Sequence, residues 1–408
     1  MAGVETYPLD EAARRVGVSA DELRHLCDLG ILTPEEDGRF TPAHLRRASL
    51  VKSLADAGIQ MDGLATAIAR GQVSLDFIDA QAFDRFSALS GDTFAEVAER
   101  TGVPVEHLLF IREANGSVAA APNDRIRDEE LVVADLVATA ITGGIRSSAV
   151  EQVIRVHGDA MRRLAETEAA FWNAEVVQPA MEAGKRADEV FGADFGDRMS
   201  LASERALVAT YHLQQLKAWT ANLIEGLELD LAAAGLHTRA DHPPAMCFLD
   251  ITGYTRLTQQ FGDEAAARLA ERLGRIVGRT AARHGGRAVK WLGDGVMLHF
   301  PDPARGVVAA LDMAEVVVDS GLPPAHVGLH SGPVIFQEAD YYGSTVNIAA
   351  RIAAHASPGQ VVVSQDVVEA SADAAGVSFE DIGPVELKGV VGAVRLFEAT
   401  RDPRPPLR

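Results

Sequence analysis

The spacing of apolar residues changes character once along this chain, at Pro243-Pro244. Before that point they recur every three to four positions, the mark of helices with one buried face. This predicts helices from Leu9 to Val16 and from Ala20 to Leu29, the second capped by Ser19 and ended by Gly30. Pro42 opens a longer helix to about Ala57, and another runs from Met61 to Arg70. The pattern stays helical from Ser147 to Leu236, with Leu213, Leu216, Leu223, Leu227 and Leu231 at helical spacing. Such a helix is expected to pack in a core or bundle, in preference to forming a free signalling rod.

After Pro244 strands and helices alternate. Strand Met246–Ile251 precedes a helix from Tyr254 to His284, then a hairpin of Ala288–Leu292 and Val296–Phe300 about Gly293-Asp294-Gly295. Helix Pro303–Asp319, strands His326–His330 and Val334–Glu338, helix Ser344–Ala356 and strand Gln360–Ser364 follow. The order β-α-β-β-α-β predicts an α+β, ferredoxin-like layer of helices against an antiparallel sheet, behind an all-α N-terminal half.

An internal repeat emerges when residues 12–26 are laid on 97–111, which puts Leu23 on Leu108. One residue out of that register, Phe40 to Ile59 falls on Ile126 to Ile145, with Gly58-Ile59 on Gly144-Ile145. Matches at turn glycines and apolar positions are what a duplicated unit keeps. Two tandem helical units are expected, spanning 1–85 and 86–155, then a helical linker region at 156–240 and a strand-and-helix domain at 245–400.

Composition narrows the setting. A net charge of −20 over 408 residues makes the whole chain a poor electrostatic partner for DNA or anionic lipid. Cys27 and Cys247, the two cysteines, fall in different modules, which argues against a disulfide framework. The longest apolar run, Leu131 to Ile141, contains Asp135 and falls short of the roughly 18 residues a membrane span needs. Glu5 and Asp10 do not fit a signal peptide, so a soluble, cytoplasmic protein without a membrane partner is expected.

Three stretches carry chemistry: Phe248-Leu249-Asp250-Ile251-Thr252-Gly253, Lys290-Trp291-Leu292-Gly293-Asp294-Gly295, and Asp340 through Arg351. Asp250 alone reads as a helix cap, and Asp294-Gly295 alone as a hairpin turn. Together they set two carboxylates at turns, where backbone carbonyls can complete oxygen coordination of Mg²⁺. Lys290 lies in an apolar strand, on the face of Asp294 if side chains alternate, and needs a partner for its ammonium. Asn347 and Arg351 are four apart on a helix and share a face, and a guanidinium there suits phosphate oxygens or an internal salt bridge. Acids that share cations, opposite groups for charged oxygens, suit phosphoryl transfer.

These motifs, in this order over about 245–400, resemble the class III nucleotidyl cyclases, the adenylate and guanylate cyclase family. The resemblance implies that Asp250 and Asp294 hold two metal ions, Mg²⁺ or Mn²⁺, and that Lys290 and Asp340 recognise the purine. It implies further that Asn347 positions the ribose, Arg351 stabilises the transition state, and Lys388, in Glu386-Leu387-Lys388-Gly389, lies near the triphosphate. Lysine donating to adenine N1 and carboxylate accepting from the 6-amino group favour ATP over GTP. The family builds each site between two subunits, so the expectation is a homodimer that makes cyclic AMP. The alternatives are a guanylate cyclase, or a transcription regulator whose cyclase-like domain only binds nucleotide.

Residues 7–70 resemble the MerR-type winged helix-turn-helix, through Ala12 to Ser19, Leu23-Arg24, Leu29-Gly30-Ile31-Leu32, Gly38-Arg39-Phe40 and Ala57-Gly58-Ile59. Its wing reads Pro34-Glu35-Glu36-Asp37-Gly38, and residues 1–85 hold nine Lys and Arg against fourteen Asp and Glu. DNA affinity rests on phosphate contacts, which an acidic module supplies poorly. In the second copy Arg46-Arg47 becomes Val132-Val133. A regulatory or dimerising role for both units is therefore expected ahead of DNA binding, as in actinobacterial cyclases whose N-terminal region controls the catalytic dimer.

Overall fold

The computed structural model describes residues 5–79, 83, 89–186, 189–190, 194–237, 242–254, 259–260, 262–372 and 374–402. The chain forms two compact units, Met1–Gly226 and Leu227–Arg408.

The first unit opens with α1 (Leu9–Val16), α2 (Ala20–Asp28), α3 (Pro42–Asp56) and α4 (Met61–Ala69). Gly17, at φ 78°, ends α1 in a left-handed conformation that glycine adopts without strain. Ser19 caps α2 in a reciprocal box: Glu22 N donates to its Oγ at 3.1 Å, and its own N donates to Glu22 Oε2 at 2.7 Å. The same order returns as β1 (Leu89–Thr93), α5 (Phe94–Thr101), α6 (Glu106–Ala114), β2 (Arg125–Arg127) and α7 (Asp128–Thr142). Gly102 at φ 72° takes the place of Gly17, and Leu23 and Leu108 are both fully buried. Tyr7 bridges Phe40 much as β1 pairs with β2. Inside the second copy Arg112 grips buried Glu130 through two bonds, of 2.9 and 2.7 Å. Removing either partner would strand a charge.

Next come α8 (Ser147–Trp172), a π-helical stretch at Asn173–Val177, α9 (Gln178–Glu182) and the 40-residue α10 (Asp194–Ala233). The expectation of a packed bundle helix fails here. Among the described residues of 201–237 none is buried, and Leu213, Leu216, Trp219, Leu223 and Leu227 all stand exposed. The apolar spacing is real, but among the described residues it leads to no buried position on this helix.

The second unit runs β3 (Ala245–Ile251), α11 (Asp263–Arg283), β4 (Arg287–Leu292), β5 (Gly295–Phe300), α12 (Pro303–Asp319), β6 (Ala325–Ser331), β7 (Ile335–Gln337) and β8 (Asp340–Tyr342). It closes with α13 (Ser344–His355), β9 (Val361–Ser364), α14 (Gln365–Ala370), β10 (Val377–Glu386) and β11 (Ala393–Arg401). The expected helix start at Tyr254 falls partly on 255–258, outside the described residues.

One seven-stranded sheet, β10-β11-β9-β6-β3-β5-β4, forms the scaffold. Its β6-β3-β5-β4 portion has the expected ferredoxin-like order, but the sheet is mixed, because β9 runs parallel to β6. A helix must cross over between parallel neighbours, and α13 supplies it. The hairpin of β10 and β11, which the sequence reading did not assign, extends one edge.

Side chains alternate along β3. Cys247, Leu249 and Ile251 join a core with Leu273 and Val277 of α11 and Met313 and Val317 of α12. Met246 lies on the opposite face with Met297 and Ala349, against α13. Burying each such aliphatic side chain contributes roughly 1.5–3 kcal/mol. Contact with α13 is close because β6 carries Gly328 beneath it: a Cβ there would lie 2.0 Å from Ala353 N. Gly328→Ala is accordingly expected to lower domain stability by about 2 kcal/mol or more, read as the unfolding midpoint in urea at unchanged slope. An unshifted midpoint would mean α13 is not seated this tightly.

Candidate active site

Register places the first acid. Asp250, on β3, stands opposite Gly295 of β5 and His326 of β6. It follows Met246 and Phe248 at intervals of two and so lies on their face of the sheet, beneath α13. Gly295 leaves room for it, since a Cβ there would sit 3.2 Å from Asp250 Oδ1. That oxygen is buried without a hydrogen-bond partner. His326 Nε2 lies 3.5 Å from the other oxygen, Oδ2.

The β4–β5 turn brings Asp294 beside it. Burial pushes the Asp294 carboxyl above the usual carboxylate range, and the negative charge of Asp250 adds to the effect, while His326 opposes it. A buried carboxylate oxygen without a protein partner, next to a second acid, suits a shared cation. Both donors are hard oxygens, which fits Mg²⁺ or Mn²⁺.

Lys290 donates to Asp340 Oδ2 at 2.5 Å, and Tyr341 N donates to Asp340 Oδ1 at 2.8 Å. A bulge lies just before Lys290, between Ala288 and the next paired residue, so simple alternation along β4 breaks at Val289. Lys290 still reaches the face of Met297, its cross-strand partner.

On α13, Thr345, Ala349, Ile352 and Ala353 are buried, whereas Asn347 and Arg351 are exposed on the far side. The salt bridge entertained for Arg351 is absent: among the described residues neither side chain has a hydrogen bond or ion pair. Lys388 is likewise exposed, just after β10, beside the buried Leu387. The fold thus joins Asp250 with Asp294 and Lys290 with Asp340. It leaves Asn347, Arg351 and Lys388 facing outward, with no bond to either pair.

Sequence reasoning missed His326, His299, Arg287 and Tyr341. His299 stacks on Tyr341, with ring centroids 4.4 Å apart, and Arg287 Nη2 donates to the Tyr341 hydroxyl at 2.7 Å. Arg287 and His299 pair across strands, and no local spacing signals such a pairing.

Residues 238–398 match the adenylate and guanylate cyclase catalytic domain. Residues 7–70 match the MerR HTH family of regulatory proteins. The cyclase domain and its N-terminal partner have relatives in actinobacteria. The pH-sensitive adenylate cyclase MT1302 of Mycobacterium tuberculosis is 35% identical over 173 residues, 41% of this chain and 43% of that protein, so the match spans under half of the relative. The M. tuberculosis protein Rv2212 is 27% identical over 379 residues, covering 88% of this chain and 91% of its own length. An adenylate cyclase of Streptomyces coelicolor is 25% identical over 276 residues, 67% of this chain and 70% of that one.

His299 supplies a test of the cyclase domain's packing. Burial, with the charge of Arg287, pushes its imidazole down to about 4. The fold therefore favours neutral His299, and its contribution is complete above the unfolded value near 6.5 and lost as pH falls towards 4. Stability should fall by roughly 2 kcal/mol across that window, after allowance for partial exposure. His299→Phe should flatten this part of the profile in chemical denaturation; an identical slope in the variant would refute the assignment.

Proposed function

We propose that the chain is an adenylate cyclase, closing ATP to 3′,5′-cyclic AMP with release of pyrophosphate in sites shared by two copies. The observation that carries this reading is the division of the groups by direction. Asp250 and Asp294 sit together on the sheet with an unpaired oxygen. Asn347 and Arg351 project from the outer side of α13. Two acids suited to a shared cation, and a guanidinium on an exposed helix face, complement each other between two copies. Ile335, Phe336, Tyr342, Trp291 and Leu292 expose the apolar surface that a second copy would cover.

In this site Asp250 and Asp294 would hold two Mg²⁺ or Mn²⁺ ions, which supply Lewis acidity toward the 3′-hydroxyl and offset phosphate charge. Lys290 donates to adenine N1, and Asp340 accepts from the 6-amino group. Guanine presents N1–H and a 6-oxo group, so both contacts mismatch, and sites built on polar contacts reject such analogues strongly. Asn347, from the same copy as Lys290 and Asp340 and opposite the two acids, orients the ribose. Arg351 on the same helix face neutralises the charge that develops at the α-phosphate. Lys388 reaches the triphosphate.

DNA is a poor fit for the first unit. Arg14 and Arg15 pair with Glu11, Arg24 with Asp21, Arg47 with Asp76 and Lys52 with Asp56, so these five of the nine cations in residues 1–85 are matched by carboxylates of the same segment. Residues 1–240 act instead as a regulator of the cyclase domain, through the exposed helix α10.

Full-length protein should turn over ATP far faster than GTP, and Asp294→Ala and Arg351→Ala should each lose about 100-fold or more. Mixing the two inactive variants should restore about a quarter of the activity, because half the dimers then carry one intact site of two. No recovery on mixing would refute the shared site, and preferred turnover of GTP would refute the base reading. A 240–408 fragment should cycle ATP at a rate different from that of the full chain; equal rates under every condition would remove the regulatory role.

A further inference from the structure

We propose that Tyr341, clamped between His299 and Arg287, is the positioning residue that fixes Asp340 against the purine and thereby sets the choice of nucleotide. This rests on the cyclase reading above. Asp340 lies on β8, which pairs only with β7 in a two-stranded ribbon outside the seven-stranded sheet. The main ladder therefore does not place it.

The ribbon turns at Glu338 and Ala339, with φ 52° and 61°. Among the described residues these are the only non-glycine positions with positive φ. Tight hairpins want that conformation, but asparagine or glycine adopts it at less cost. Strain of this kind persists where surrounding contacts over-determine the structure, and it gathers at functional sites.

The contacts that hold the ribbon converge on Tyr341. Its ring lies parallel to His299, at 7° and 4.4 Å, and meets Phe336 of the facing strand at 5.1 Å. Its hydroxyl accepts from Arg287, whose guanidinium also stands over the rings of Phe336 and Tyr341 at 5.6 and 5.5 Å. Arg287 and His299 are neighbours across β4 and β5, so the clamp ties the ribbon to the sheet that carries Lys290 and Asp294. Tyr341 N also donates to Asp340 Oδ1, while Lys290 takes Oδ2. Both oxygens of the base-reading carboxylate are thus oriented, one by the main chain of the clamped residue. His299 stays neutral under ordinary conditions, which leaves Arg287 as the cation that bonds the phenol.

A clamp acts on the reading of the base, whereas plain packing acts on both nucleotides alike. The test uses the full chain and its Tyr341→Phe and Tyr341→Ala variants. It measures kcat and KM for ATP and GTP, equilibrium binding of non-cyclising ATP and GTP analogues, and thermal unfolding. Tyr341→Ala should lower kcat/KM for ATP about tenfold, chiefly through KM, with a smaller loss for GTP, so the ratio between them narrows. Tyr341→Phe keeps the stack, loses the bond from Arg287, and should fall in between. The analogue affinities should narrow in the same order while the unfolding midpoints of wild type and Tyr341→Phe stay together. Parallel losses for both nucleotides, or an unchanged ratio in Tyr341→Ala, would overturn the proposal. Wild type that makes no cyclic nucleotide would sink the cyclase reading instead, and the analogue ratios would still decide the clamp.

Discussion

Everything at the site depends on the register of β3 in the middle of the sheet. Asp250 faces Gly295 on one side and His326 on the other, and a slip of one residue would move it to the face of Leu249 and Ile251. Apolar packing prevents that slip, since Cys247, Leu249 and Ile251 fill one core while Met246 fills the other. The hydrophobic effect, which has no interest in chemistry, thereby holds a carboxylate with an unsatisfied oxygen beside a second acid. Such a juxtaposition costs stability by itself and persists because the sheet around it is over-determined.

Helix α13 shows the same division of labour on a single element. One side is committed to packing: Gly328 lets the helix backbone settle onto β6, and Thr345 Oγ1 bonds Pro333 O at 2.7 Å. The opposite side carries Asn347 and Arg351, exposed and with no bond among the described residues. A rigid helix that presents unpaired polar groups suits recognition by something outside the fold, because the groups are already oriented and lose little entropy on binding. The Lys290–Asp340 pair is prepared differently: Lys290 stands on the sheet, and Asp340 on a ribbon held by aromatic stacking.

In the N-terminal half one order of short helices appears twice, and the first copy matches the MerR HTH family. Both copies keep a left-handed glycine after their first helix, Gly17 and Gly102, and a fully buried leucine, Leu23 and Leu108. Several basic side chains of the first copy pair with its own carboxylates at the surface. Arg112 goes furthest, closing on Glu130 inside the second copy. Charges satisfied within a fold are not available to phosphates, so the shape of the unit alone does not make it a DNA reader.

Local chemistry was legible from the chain alone wherever near neighbours decide the outcome. Helix starts at Ser19 and Pro42, the glycine stops, the apolar alternation of β3 and the four-residue spacing of Asn347 and Arg351 all depend on residues within one turn. The acids, Lys290 with Asp340, and the repeat could therefore be named, though not their mutual placement. Tertiary structure alone decided that β9 joins β6 in parallel, that a bulge interrupts β4 before Lys290, and that the described residues of α10 include no buried position. It also decided that His326 faces Asp250 and that His299 and Arg287 meet Tyr341. Those contacts join residues dozens of positions apart, and pairing across a sheet is fixed by the energy of the whole core, which no local window of sequence contains.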